Sequence, residues 1–304
     1  MASILNTLLQ PDELLTVEQM VNHYVDLQIP QRDLESDFHF TSQNTTYRIV
    51  KVACFRLGFI SIDAECIANA WTKQSDGEFN LHQWPTLLTD FAVPPKPFPA
   101  FATCPKDLGL YVVAPSAEWV GKLAHAGVKT IQLRFKSDDS KRIEEEVEQA
   151  IYLVKNFACH LWINDHWEAA IKYQAYGVHL GQEDLAQADF LTLQKAGLRL
   201  GISTHGYAEI MCALSFQPSY IALGAIFPTT LKMMATAPQG LGRLRRYAQL
   251  LKDYSLVGIG GVDASNIASV IDCGVGSAAL VRAVISADDY LSAINTLQTH
   301  FKSN

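Results

Sequence analysis

"IQLRFK", residues 131–136, alternates apolar and polar side chains without a break. A period of two is that of a β-strand. Ile131, Leu133 and Phe135 then share one face, and Gln132, Arg134 and Lys136 the other. A strand face carrying two cations and an amide asks for an anionic partner. Behind it, residues 140–157 form an amphipathic helical pattern that Ser140 can cap, with acidic Glu144–Glu146 in its first turns.

This unit of apolar run and amphipathic stretch occurs eight times. The runs are "LYVVA" (110–114), "TIQLRF" (130–135), "HLWIN" (160–164), "GVHLG" (177–181), "RLGIS" (199–203), "YIALGAI" (220–226), "LVGIG" (256–260) and "SAALV" (277–281). Helical patterns follow each, as at 117–126, 166–174 and 186–196. Eight βα units in about 195 residues predict an α/β chain whose residues 106–304 close into a (β/α)₈ TIM barrel. An open α/β sheet is the runner-up.

Ahead of the barrel, "VPPKPFPAFATCP" (93–105) holds five prolines and reads as an extended linker. Residues 1–92 read as a small, mainly helical N-terminal extension. Helical patterns lie at 11–26 and 61–73, the second with Ser61 as its expected N-cap. His23, His39 and His82 are isolated in the sequence, and nothing there forms a chemical constellation. The two parts also differ in charge: residues 1–105 carry −6 and residues 106–304 carry −1.

The whole chain of 304 residues, 49% hydrophobic and 18% charged, has the composition of a globular protein. Its net charge of −7 argues against nucleic acid or an anionic membrane as a partner. Six scattered cysteines show no zinc spacing. The N-terminus lacks a signal-peptide pattern, and no apolar run approaches the roughly 20 residues of a membrane span. A cytoplasmic protein is expected.

In a TIM barrel, binding and catalytic groups sit at the C-terminal ends of the strands and in the loops that follow. The polar clusters fall there. Run two ends in Arg134 and Lys136, run three in Asn164 and Asp165, and the loop after run four carries Gln182 and Asp184. Run five ends in Ser203, with His205 beyond. The loop "FPTTLK" supplies Thr229, Thr230 and Lys232. Run seven ends in Gly260-Gly261, before a helix expected near Asp263, and run eight leads to Val281 and Arg282.

Arg134, Lys136 and Lys232 suit phosphate oxygens. Asp165 and Asp184 are hard oxygen donors of the kind that hold Mg²⁺ beside a phosphorylated substrate. The glycine pair can bring backbone amides to a second anion at a helix N-terminus. Each element also has a plain structural reading: Asp165 as a helix cap, the glycines as a tight turn, Lys232 as a solvated charge, His205 as an orienting group.

Taken in order, "LGLY", "AGVKTIQLRFK", "WINDHW", "YGVHLGQEDL", "LGISTH", "YIALGAIFPT", "APQGL" and "GIGGV" resemble the thiamine phosphate synthase family over about residues 108–290. Residues 1–92 lie outside the resemblance. There "GFISIDAECIANAWTKQ…HQWPTLLTDF" is faintly similar to the tail of a hydroxymethylpyrimidine phosphate kinase, read as a remnant or a docking element. The resemblance implies the barrel fold and the joining of hydroxymethylpyrimidine diphosphate to a thiazole phosphate, with release of pyrophosphate. It implies that Gln132, Arg134, Lys136, Asn164, Ser203 and Lys232 hold the pyrimidine diphosphate. Asp165 and Asp184 would bind Mg²⁺, and Thr229, Gly261, Val281 and Arg282 the thiazole phosphate.

The chain departs from the family at Leu231, where the loop usually has threonine, and at Arg282, where serine is usual. It also lacks an acidic residue in "VAPS" (113–116). Two rivals use the same barrel: a thiazole tautomerase with His205 as proton carrier, and a non-catalytic thiazole phosphate-binding regulator. Small-molecule substrates are the expected partners, and a homo-oligomer stays open.

Overall fold

This computed structural model describes residues 9–30, 38–76, 78–91, 98–229 and 237–301, and among the described residues three α-helices precede the barrel. They are α1 (Pro11–His23), α2 (Thr45–Arg56) and α3 (Ser61–Gln74), with a short 3₁₀ turn at Val25–Leu27 after α1. The expected cap of α3 moves by one residue. Ser61 is already helical, and the N-cap is Ile60, whose side chain has no oxygen to offer. Helix α2 was not anticipated. Its N-cap Asn44 accepts from the Tyr47 amide at 3.0 Å, and it buries nearly every residue from Thr46 to Phe55. His23 and His82 are not isolated from each other: their rings meet edge-on at 4.9 Å.

The barrel then runs β1 (Gly109–Ala114), α4 (Ala117–His125), β2 (Thr130–Leu133), α5 (Ser140–Val154), β3 (His160–Asn164), α6 (Trp167–Lys172), β4 (Gly177–Leu180) and α7 (Phe190–Lys195). It continues with β5 (Arg199–Thr204), α8 (Tyr207–Ser215), β6 (Tyr220–Leu223), α9 (Gly240–Leu250), β7 (Leu256–Ile259), α10 (Ile267–Ile271), β8 (Ser277–Leu280), α11 (Arg282–Ile285) and α12 (Tyr290–Gln298). The eight strands pair in parallel in sequence order and close, β8 on β1. The open-sheet alternative is excluded. Helix α5 is capped not by Ser140 but by Asp139, whose carboxylate accepts from the amides of Lys141 and Arg142 at 3.0 and 3.3 Å.

Alternation along each strand divides the core into two layers. Val112, Ile131, Leu133, Leu161 and Ile163 join the outer layer beneath the helices, whereas Tyr111, Val113, Trp162 and Tyr220 fill the barrel interior. Those large rings fit because the neighbouring strands carry glycine in register with them. A β-carbon on Gly201 would overlap the Tyr220 ring, and one on Gly177 would meet Trp162 at 2.5 Å.

"IQLRFK" is therefore strand only to Leu133. Ile131 and Leu133 face outward and Gln132 inward, but Arg134 and Lys136 stand above the last strand residue, on the rim. The Lys136 side chain is 56% exposed, so it is not a buried cation in the barrel wall.

Residues 93–97 of the proline-rich stretch lie outside the described residues; from Phe98 onward it is bonded along the barrel. Phe98 and Phe101 amides donate to the carbonyls of Ser215 and Gln217, and Phe98 stacks on Phe216. Arg199 Nε reaches the Thr103 carbonyl at 2.8 Å. The extension's buried residues, including Val17, Met20, Tyr47, Ile67 and Trp71, form one continuous apolar cluster with the barrel's outer layer. No helix among the described residues is long and apolar enough to cross a membrane.

Candidate active site

A cavity of about 790 Å³ opens at the C-terminal mouth of the barrel. Nine of the expected substrate residues line it: Gln132, Arg134, Lys136, Asn164, Ser203, Thr229, Gly261, Val281 and Arg282. Asp165 lines it too. Lys232, with Thr230 and Leu231, lies outside the described residues. Asp184 stands just behind the wall, in the 3₁₀ turn Gln182–Asp184 that follows β4.

The floor of this cavity is a chain of neutral hydrogen bonds across the barrel interior. Gln132 Nε2 donates to Tyr111 Oη at 2.9 Å, and Tyr111 Oη lies 2.9 Å from Tyr220 Oη. Tyr220 Oη meets His179 Nδ1 at 2.6 Å, and His179 Nε2 meets Ser203 Oγ at 2.8 Å. Burial pushes both tyrosines well above the ordinary phenol range, so they stay protonated and able to donate. One proton order satisfies every link: each hydroxyl accepts from one side and donates to the other, leaving Ser203 with its proton toward the cavity. The sequence reading missed Tyr111, His179 and Tyr220. The inward positions of "GLYVVA", "GVHL" and "YIAL" were the available signal, since a polar side chain facing a barrel interior must find a partner there.

The rim above is charged. Asp165 follows β3 with φ +63°, a left-handed conformation that aspartate tolerates better than most residues. Its amide donates to the His179 carbonyl at 3.0 Å, and its carboxylate pairs with Lys136 Nζ. Asp184 accepts from the Gly181 amide at 2.9 Å. Partial burial raises its pKa, and the neighbouring Asp165 carboxylate raises it further. Two carboxylates thus face each other beneath a cation. Like charges held this close are eased by a divalent cation between them, so the residues fit Mg²⁺. Among the described residues, no cluster of three or more histidine, cysteine or acidic groups forms a complete metal cage. Two carboxylates with substrate oxygens are the arrangement Mg²⁺ usually takes. Glu183, also missed by sequence, joins this side of the cavity.

Across the mouth, Gly260 and Gly261 have φ of +99° and +68°. A β-carbon on Gly261 would meet Phe227 Cβ at 2.7 Å, so the turn needs glycine on both counts. The helix expected near Asp263 begins later, at Ile267. Asp263 instead accepts from the Ser265 amide at 2.8 Å, and Asn266 holds the N-cap position of a five-residue helix, its side chain bonded to the Asp263 amide and the Gly261 carbonyl rather than to the helix. The helix N-terminus therefore does not abut the glycine turn. His205 Nδ1 lies 2.6 Å from Glu209 Oε2, a hydrogen bond at the cavity edge.

A closed barrel with cations, paired carboxylates and a glycine turn on its C-terminal rim is the arrangement of an enzyme for phosphorylated small molecules. The comparisons narrow this class. Residues 103–284 match the family described as thiamine monophosphate synthase, and the chain belongs to that family. It is 50% identical over 206 residues to the thiamine-phosphate synthase of Serratia proteamaculans, covering 68% of this chain and 94% of that protein. To the thiamine-phosphate synthase of Escherichia coli O6:H1 it is 50% identical over 192 residues, covering 63% and 91%. The solved thiamine phosphate pyrophosphorylase of Pyrococcus furiosus superposes with a TM-score of 0.58 at 27% identity, over 64% of this chain and 96% of that one. The protein is accordingly a transferase of thiamine biosynthesis.

Proposed function

We propose that the cavity joins 4-amino-2-methyl-5-(diphosphooxymethyl)pyrimidine to a thiazole phosphate, giving thiamine phosphate and pyrophosphate. One observation carries this reading: a single cavity holds a cation–carboxylate cluster after β2–β4 and a separate glycine turn after β7. Two anionic substrates can then meet over a neutral floor.

In this reading Gln132, Asn164 and Ser203 hold the pyrimidine, and Arg134, Lys136 and Lys232 its diphosphate. Thr229, Gly261, Val281 and Arg282 hold the thiazole phosphate. Arg282 stands where a hydroxyl would make a weaker contact, and its guanidinium supplies a charge-assisted one. Asp165 and Asp184 would hold Mg²⁺, which supplies charge neutralisation to the departing diphosphate.

The reaction needs no nucleophile or general base from the protein. The bond between the pyrimidine's exocyclic methylene and the diphosphate oxygen breaks first, and the electron pair leaves with pyrophosphate. The thiazole nitrogen lone pair then forms the new C–N bond, so no proton changes hands. Lys136 and Arg134 stabilise charge as it develops on the leaving oxygens. Ser203, oriented by His179, fixes the ring so that its methylene faces the thiazole. The cytoplasm is the compartment this reading implies, supported by six cysteines that stay unpaired.

The test is direct. Purified protein with Mg²⁺ and both substrates should form thiamine phosphate and pyrophosphate in equal amounts. Thiazole phosphate binding without either product would contradict the reading.

A further inference from the structure

The barrel does not cap its own helix α8. Gly206 occupies the N-cap and has no side chain to offer, and the first turn of α8 lies only a few residues beyond Ser203. The cap comes from the extension: Asp63, on α3, accepts from the Ala208 amide at 2.8 Å. A β-carbon on Gly206 would overlap the Asp63 carboxylate, so glycine at 206 is what admits it. Tyr207, next in the chain, is held by the extension as well. Trp84 Nε1 donates to Tyr207 Oη at 2.9 Å, and Phe91 stacks on its ring.

A second grip lies one loop further on. Arg243 of α9 is 2% exposed, yet its guanidinium donates to the extension's Leu27 and Leu57 carbonyls at 3.0 and 2.9 Å. It lies 3.5 Å over the Phe59 ring and also donates to Gln239 Oε1 at 3.2 Å. Gln239 is where the chain re-enters α9 after the loop carrying Thr229, and its amide is anchored on the Ala225 carbonyl at 2.8 Å. The extension thus fixes the far stems of two neighbouring loops that border the cavity.

We infer that the described residues of the extension, from α1 to Phe91, act in cis as a positioning clamp on the pyrimidine side of the active site, with Asp63 holding the β5–α8 turn so that Ser203 and His205 keep their places. The inference rests on the assignment of Ser203 to the pyrimidine. Asp63 is a positioning residue: it touches no substrate and acts through the amides of α8. Its burial is a second indication. Desolvation raises the Asp63 pKa to about 6 despite the Ala208 amide and the Arg243 charge, so the native state holds this carboxylate against a cost. A buried charge kept at the foot of a binding loop is expected where loop position matters. The barrel chemistry does not require the clamp in principle. The Serratia relative is 94% accounted for by the shared region and leaves no room for a segment of this size.

The experiment is steady-state kinetics on the full chain with Asp63→Ala and Asp63→Asn, beside Ser203→Ala, together with hydrogen exchange at the amides of 204–208. Loss of a charged cap should raise the KM for the pyrimidine diphosphate by about fivefold to tenfold in Asp63→Ala, with kcat within about twofold. Exchange at 204–208 should quicken. Asp63→Asn keeps an oxygen acceptor and should recover most of the KM, and Asp63→Ser, whose side chain is too short to reach the Ala208 amide, repeats the test should the Ala variant fail to fold. Unchanged KM and kcat in Asp63→Ala or Asp63→Ser, with exchange altered or not, would overturn the clamp. If Ser203→Ala leaves the pyrimidine diphosphate KM unchanged, the subsite assignment fails instead, whatever Asp63 does.

Discussion

The floor and the rim of the cavity are built on opposite principles. The floor, from Gln132 through Tyr111, Tyr220 and His179 to Ser203, is neutral, buried and hydrogen-bonded end to end. The rim, with Arg134, Lys136, Asp165 and Arg282, is charged and partly open to solvent. A neutral chain can be complete before substrate arrives, because its partners are internal. Lys136 and Asp165 already pair with each other, and in the proposed reaction the rim as a whole would also meet an anionic substrate and its cation. In the proposed reaction the floor would set shape and the rim would carry the chemistry.

This contrast predicts an order of effects. Asp165→Asn should be the most severe, lowering kcat by about 10²–10³-fold, the range seen when a charge-stabilising group is removed. A loss confined to KM would instead place Asp165 with the floor. Gly201→Ala, which drives a methyl into the Tyr220 ring, should destabilise the protein by about 1–3 kcal/mol, as overpacking does. Denaturant unfolding checks this, and an unchanged midpoint would mean that the interior is less tightly packed than the geometry requires.

Tyr220→Phe removes two links of the floor, to Tyr111 and to His179, without a cavity. It should raise the pyrimidine diphosphate KM by at least about tenfold with little change in kcat, as the loss of buried hydrogen bonds does. The smallest effect concerns Asp63. It faces Arg243 and Tyr207, with Glu209 and Cys54 also acting on the same buried charges. Its pKa is raised from 3.8 to about 6, so between those values the native state binds a proton that the unfolded chain does not. The wild type therefore loses stability relative to Asp63→Asn as pH rises through that window, and the gap levels off above it. Melting temperatures of the two proteins at pH 4, 5, 6 and 7 should diverge by a few degrees. Parallel curves would mean that Asp63 does not titrate there.

Much of the barrel was legible because its strands are short, apolar and evenly spaced, and because the TIM fold sends polar residues to one rim. Gln132, Asn164 and Ser203 were found that way. The floor's tyrosines were not, since an inward tyrosine reads like any apolar strand residue until its partner across the barrel is known. Helix α2 escaped because "TTYRIVKVACFR" is rich in β-branched residues and is buried almost all round, which erases the amphipathic period. The late start of α10 was hidden for another reason: Asp263 and Asn266 are both good capping types, and only the turn geometry shows that the helix starts after Asn266. The docking of the extension depends on contacts such as Asp63 to Ala208, 145 residues apart, which local pattern cannot reveal.

The central claim is that the rim is a site for a diphosphate held with Mg²⁺. The most direct test is equilibrium binding of the pyrimidine diphosphate to the wild type and to the Asp165→Asn, Asp184→Asn double variant, each with Mg²⁺ and with EDTA. Mg²⁺ should tighten binding to the wild type by at least about tenfold, a difference of about 1.4 kcal/mol, and leave the double variant unmoved. Equal affinity in the wild type with and without Mg²⁺ would contradict the account.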